Sequence, residues 1–245
     1  MQIFFVGWHQ PVSGKSGCGN FNYCMISANR LINRVSWFPV QNWAMDSGAF
    51  TLITSGKGHM ETQAYANLIN RFYGNGNLLF AVSQDYMCEP FVLAITGLTI
   101  ADHQRMTIEK YDELLSYSPK PYIMPVLQGY APSDYVKHLK DYGDRLPEKA
   151  WVEVGSVCKR NSSPGQILNV LLAIKGERPD LRLHGFGVKQ TSLLSPAIWD
   201  LLYSADSAAA GLAGGRGSHK YAGSNDPQTA LDYAAAIKPL AQSSI

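Results

Sequence analysis

Short apolar runs alternating with helical stretches constrain this chain more than any other feature. Seven such runs read as strands: Ile3–Gly7, Trp43–Asp46, Leu78–Ser83, Tyr122–Leu127, Trp151–Gly155, Leu183–Val188 and Leu202–Ala205. Few of them alternate cleanly with polar residues, the pattern of strands covered on both faces in a parallel sheet. Helical stretches fall between them at 62–73, 101–116, 133–146, 164–175 and 196–202, and a last one spans 226–240. Asp226 and Pro227 suit the cap and first position of that last helix. Strand–helix alternation over 245 residues fits one α/β unit, a TIM-like (β/α)8 barrel. With seven clear strands, the barrel is expected to be irregular or incomplete at one strand. The whole of 1–245 reads as a single barrel domain, with a Gly-rich loop at 211–223 lying over the site or against nucleic acid. Residues 13–24 read as a second mobile loop.

Composition excludes several functions. Charged residues make up 16% and the formal net charge is +2, so nucleic-acid contact would rest on a local patch. No apolar stretch reaches the length of a membrane span, and the N-terminus lacks a secretory pattern, so a cytoplasmic location without membrane contact is expected. The four cysteines are scattered and read as reduced thiols. Neither HExxH nor zinc-ribbon spacing occurs, so no metal is expected. No phosphate-binding GxxxxGK[ST] is present either.

Chemistry concentrates at strand ends, where a parallel α/β fold opens its active-site crevice. Asp46-Ser47-Gly48-Ala49-Phe50 and Tyr203-Ser204-Ala205-Asp206-Ser207 each place an acid where an apolar run stops. A buried carboxylate is costly without a partner, so packing explains these acids poorly. In the first motif Gly48 permits a tight turn, Ser47 offers a hydroxyl and Phe50 can stack; turn chemistry alone would also give Asp-Ser-Gly. Gln84-Asp85 follows the third strand, and its carboxylate can accept the N1–H and exocyclic amine of a guanine-like base. A helix cap is the plain alternative. Gln128-Gly129 offers an amide and a backbone open to close approach. Gly155-Ser156 adds main-chain groups, followed by Lys159-Arg160. Cys158 has no adjacent histidine to activate it. Lys189, Arg216, His219 and Lys220 can meet phosphate or simply face solvent.

Together these residues resemble the catalytic barrel of the queuine/archaeosine tRNA-guanine transglycosylases, and more closely the DpdA-type branch that inserts 7-deazaguanine bases into DNA. Asp46-Ser-Gly-Ala-Phe50 resembles the DSGGFQ motif, with Ala49 and Thr51 replacing glycine and glutamine. Leu127-Gln128-Gly129-Tyr130 resembles VQGG, Gly155 falls in the glycine-rich base-contact loop, and Phe5-Val-Gly-Trp-His-Gln-Pro11 resembles the DNA-directed group. The resemblance implies that Asp206 is the nucleophile and Asp46 assists proton transfer or positions the base. Ser47, Gly48, Phe50, Asp85, Gln128, Gly129, Gly155 and Ser156 would bind the base. Lys159, Arg160, Lys189, Arg216, His219 and Lys220 would contact nucleic acid.

It further implies exchange of guanine in DNA for a base such as preQ0, through a covalent aspartyl–sugar intermediate. The enzyme would be a pentosyltransferase with no cofactor, the free 7-deazaguanine base being a substrate. Its partners would be DNA, with tRNA as the alternative, and accessory DNA-modification proteins. The clustered cysteines of the tRNA enzymes' zinc site are absent, and a run of alanines and glycines follows Asp206. Alternatives are a tRNA-guanine transglycosylase, a nucleoside or DNA glycosylase, a glycoside hydrolase, and a non-catalytic nucleic-acid-binding barrel.

Overall fold

The computed structural model describes residues 1–7, 22–160, 163–209 and 227–237. Nine strands form one sheet in which every pairing is parallel. They are β1 Ile3–Gly7, β2 Cys24–Ser27, β3 Asn42–Asp46, β4 Asn77–Val82, β5 Tyr122–Met124, β6 Val126–Leu127, β7 Trp151–Val154, β8 Arg182–Gly185 and β9 Leu202–Ser207. The order β5-β4-β3-β2-β1-β9-β8-β7-β6 follows the chain around a barrel. Its two end strands are the halves of one run, separated only by Pro125. Proline has no N–H to give a ladder, so pairing breaks there. Beside the break, Met124 O accepts from Ser83 N at 3.0 Å and Pro125 O from Glu153 N at 2.9 Å. The result is a TIM-like α/β barrel, nearly closed, with a single unsealed seam.

The strand that the sequence left unresolved is β2. It lies between β1 and β3, with Cys24 opposite both Val6 and Trp43. Its four residues, Cys-Met-Ile-Ser, are too short to show a period. Cys24, read as the end of a loop, is therefore buried in a strand; 13–21 lie outside the described residues.

Helices cover the outside: α1 Ala49–Thr54, α2 Thr62–Phe72, α3 Pro90–Thr96, α4 Ile100–Ser116, α5 Pro132–Tyr142, α6 Pro164–Glu177, α7 Gln190–Leu193, α8 Pro196–Leu201 and α9 Pro227–Ile237. α5 stops four residues before the expected end because Gly143 takes a positive φ of 53°. α1, α3 and α7 are short helices in the connections that follow strands, and no full amphipathic period fits in them. No helix among the described residues is long and apolar enough to cross a membrane.

The main core lies between sheet and helices, and a second cluster fills the barrel. Successive side chains on a strand point to opposite faces. Alternate residues therefore enter the barrel: Ala44 and Asp46, Trp151 and Glu153, Ser204 and Asp206. Phe5, Phe80 and Trp151 pack edge-on, Phe5 to Phe80 at 5.3 Å and Phe80 to Trp151 at 4.7 Å between ring centroids. This aromatic plug closes the lower barrel; Asp46 and Glu153 stand one strand repeat above it, towards the C-terminal mouth, and Asp206 is in register with Phe5.

Candidate active site

Backbone geometry explains the Asp-Ser-Gly turn. Gly48 precedes α1 with φ 76°, and a Cβ there would lie 2.3 Å from Asn29 Nδ2. Only glycine relieves both constraints. Asn29 Nδ2 also donates to Gly48 O at 3.1 Å. The turn aims Asp46 into the barrel, where its carboxylate takes hydrogen bonds from the Ser47 and Gly48 backbone and the Ser27 hydroxyl. Burial outweighs those bonds, and with repulsion from Asp206 it pushes Asp46 up to about 6. Ser47 is buried, and its hydroxyl accepts from Ala49 N at 3.4 Å, within its own turn.

Asp85 follows β4 and is 7% exposed. Gln128 Nε2 donates to its Oδ2. Burial pushes this acid up to about 7, and the charges of Asp46 and Glu89 add to the rise. Gln128 is held along its whole length. His138 Nδ1 accepts from Gln128 N at 2.8 Å, and Gln104 Nε2 donates to Gln128 O at 2.8 Å. Burial brings His138 down to about 4, which keeps the ring neutral and able to accept. Gly155 is needed because a Cβ would meet Gln128 Nε2 at 2.3 Å. Its carbonyl takes the Tyr135 hydroxyl of α5 at 2.8 Å.

These groups share one cleft of about 450 Å³ of empty space, partly open to solvent. Asp46, Asp85, Gln128 and Glu153 line it, with Gly48, Phe50, Gly155 and Ser156, all beside Phe186. Phe50 is exposed at the rim, 6.2 Å from the Phe91 ring.

Asp206 does not line the cleft wall. It is 5% exposed, with Oδ1 accepting from Gly187 N at 2.7 Å and standing 3.4 Å from His184 Nε2. Its charge acts on both Asp46 and Glu153, so it stands beside these cleft acids. His184 is anchored through Nδ1 to Ser204 Oγ at 2.8 Å, the same oxygen that takes the Trp151 indole N–H at 2.8 Å.

Other expected site residues lie elsewhere or differently. Gly129 does not line the cleft: a Cβ there would strike Asp134 Cβ at 2.8 Å, so its small size serves packing against α5 rather than ligand approach. Arg160 is 9% exposed and stacks under Tyr130, its guanidinium carbon 4.6 Å from the ring centroid. Lys189 is exposed just before α7. The Lys159 side chain, the 211–223 loop and Arg216, His219 and Lys220 lie outside what the structure describes. Among the described residues, no group of three or more His, Cys, Asp or Glu could hold a metal ion.

Sequence reasoning missed Glu153, Glu89 and His184 as site residues. Glu153 had a readable signal: it interrupts the apolar Trp-Val-Glu-Val run and shares a face with Gly155. It is 2% exposed, its Oε2 has no hydrogen-bond partner, and burial among Asp85, Asp206 and Asp46 raises it well above the ordinary range.

A pH dependence of stability follows. Asp46, Asp85 and Glu153 all have folded values above their unfolded ones. The folded protein then holds protons that the unfolded chain releases, so stability is full below about pH 4 and falls as pH rises through the folded values. Each pH unit of upward shift corresponds to about 1.4 kcal/mol at most. Urea melts from pH 5 to 8 should show stability declining, and Glu153→Gln, neutral and of equal size, should flatten that decline. An unchanged slope in the variant would mean Glu153 is not the buried proton-holding group.

A parallel barrel whose C-terminal mouth gathers carboxylates and an amide around one cleft is an α/β barrel of the enzyme type. The family model described as DpdA, DeoxyPurine in DNA protein A, matches residues 1–226, and the chain belongs to that family. No curated protein matches it. Family membership supports a DNA-modifying role of the 7-deazaguanine transglycosylase type.

Proposed function

We propose that the cleft exchanges guanine in DNA for a 7-deazaguanine base such as preQ0, through a covalent bond between Asp206 and the sugar. The observation that carries this reading is the Asp85–Gln128 hydrogen bond on the wall of the cleft that Asp46 also lines. A carboxylate beside an amide can read the donor edge of a 2-amino-6-oxo purine. A glycoside hydrolase has no use for that edge.

The steps balance as two displacements. Asp206 Oδ2 attacks C1′ of a nucleotide turned out of the DNA stack, the C1′–N9 bond breaks, and its electron pair leaves on guanine N9. Protonated Asp46 supplies the proton that N9 needs. Guanine departs, and the incoming base loses its N9 proton to the Asp46 carboxylate. N9 then attacks C1′ from the face guanine left, the ester to Asp206 breaks, and the configuration is retained. Asp46, near 6, can play both parts close to neutral pH. The Gly187 N–H holds Oδ1, with His184 Nε2 3.4 Å from the same oxygen, which orients Asp206 and leaves Oδ2 for the attack. A nucleophilic carboxylate also stabilises the positive charge that develops on the sugar. Turning the base out costs a few kcal/mol, and exposed Phe50 and Phe91 at the rim offer stacking surfaces in return.

The test is a matched assay in which DNA and tRNA are each incubated with preQ0 and related 7-deazaguanines, then digested to nucleosides for mass analysis. Incorporation into DNA is expected. Incorporation into tRNA alone would transfer the reading to the RNA enzymes, and base loss without incorporation would make the protein a glycosylase.

A further inference from the structure

Beneath the base-reading pair lies a chain of buried polar groups whose hydrogens do not add up in one arrangement. Ser156 follows β7 with a φ of 55°, a conformation few non-glycine residues accept. Its hydroxyl oxygen accepts from Cys88 N at 2.9 Å, stands 2.8 Å from Glu89 Oε2 and 2.7 Å from Gln128 Oε1. Gln128 Nε2 continues the chain to Asp85 Oδ2. Ser156, Glu89, Gln128 and Asp85 are all buried.

A hydroxyl has one hydrogen. Between a carboxylate oxygen and an amide oxygen it can satisfy only one, and the other contact then opposes two acceptors. Two arrangements remove the conflict. In the first, Glu89 carries a proton and donates to Ser156, Ser156 donates to Gln128 Oε1, and Gln128 Nε2 donates to an ionised Asp85. In the second, the Gln128 amide has made a half-turn. Its N–H donates to Ser156, Ser156 donates to an ionised Glu89, and Asp85 carries the proton and donates to the Gln128 oxygen. Each arrangement holds one carboxyl proton. Passing between them releases one at one acid and takes one up at the other, with no net change.

We propose that Glu89 and Ser156 are positioning residues that select which way the Gln128 amide faces, and so whether Asp85 meets a bound base as an acceptor. The inference rests on reading the cleft as a guanine-type base site. Only the first arrangement gives Asp85 as a carboxylate, acceptor at both oxygens, to a base edge with two adjacent donors. Protonated Glu89, which also lines the cleft, therefore favours 2-amino-6-oxo purines over 6-amino purines through Ser156 and Gln128.

The surroundings fit a shared proton. Facing Asp85 are Asp46 from β3, Glu153 from β7 and Tyr65 from α2, while His59 Nε2 meets its backbone oxygen at 2.9 Å. Glu89 acts on His103 of α4, Tyr135 of α5 and the Cys88 thiol, and its Oε1 lies 4.0 Å from Cys158 Sγ. Burial lowers His103 and His59, so these rings stay neutral near pH 7. Burial raises Asp85 to about 7 and the Glu89 charge adds to the rise, so the two acids stand close enough to interact.

The experiment has two arms on the full chain. Without ligand, carboxyl carbon NMR follows Asp85 from pH 5 to 8.5 in the wild type, Glu89→Gln, Glu89→Ala and Ser156→Ala. The wild type should titrate in two coupled steps. Glu89→Gln, whose amide can donate to Ser156 at every pH, should give one step, lower by roughly one pH unit or more. With guanine as probe, wild-type affinity should weaken about tenfold between pH 6.5 and 8.5, as the proton shared along the chain of polar groups is lost and a buried contact with it. Glu89→Gln should remove that dependence, and Glu89→Ala should bind weakly at every pH. A structural role alone would not separate Gln from Ala by pH profile. An unaltered Asp85 titration in Glu89→Gln, or guanine binding with an unaltered pH profile, overturns the selector. Coupled titration without any guanine binding would uphold the shared proton and overturn the base-site reading.

Discussion

Asp206→Asn protein is expected to fold normally, bind guanine within a few-fold of wild type, and lose base exchange by roughly 10⁴-fold or more. Asparagine matches aspartate in size, and its oxygen can still accept from Gly187 N, so the local structure has no reason to change. What disappears is the negative oxygen that would bond to C1′. Phe5, in register with Asp206 on the neighbouring strand, is untouched, so the aromatic plug stays filled. Radiolabelled guanine exchange into DNA measures the loss, and guanine titration measures the retained cleft. Exchange within tenfold of wild type would exclude Asp206 as the nucleophile.

Asp85→Asn should separate stability from recognition. Burial works against this carboxylate and raises it to about 7, so a neutral replacement of equal size should leave the protein as stable or more stable at pH 8. Binding should suffer. The new amide can turn only one oxygen outward, and Gln128 already brings an N–H to the same point. At least one donor on the base edge, and one on the protein, is left unpaired. Each such buried group costs about 1–3 kcal/mol, or roughly 10²- to 10⁴-fold in affinity for the two together. Thermal melts and guanine titration at pH 8 test both halves. A variant that binds guanine as well as wild type would remove Asp85 from base recognition.

The sequence disclosed the barrel because its strands are apolar and regularly interrupted by helices. Asp46, Asp85 and Asp206 stood out because acids at the ends of apolar runs have few structural excuses, and Asp46 and Asp85 do line one cleft. β2 was illegible: four residues carry no period, and it is identified by the strands on either side of it. Gly129 was misread because two reasons for glycine, ligand approach and helix packing, look alike until Asp134 and Tyr135 are seen against it. That Arg160, expected to contact nucleic acid, is buried against Tyr130 was not legible, because nothing in the chain announces that pairing. Glu89 was hidden for another reason. Beside Pro90 it reads as a helix-start residue, and α3 does begin there. Its second partnership, with Ser156, spans 67 positions in the chain.

The covalent step at Asp206 is tested by intact-protein mass analysis after denaturing a reaction of the chain with a guanine-containing oligonucleotide. A fraction of the protein is expected to carry the strand, released by added guanine or preQ0, with peptide mapping placing the bond on Asp206. An adduct mapped to Asp46 or Glu153, or full exchange with no protein-bound strand at any time point, would contradict that step.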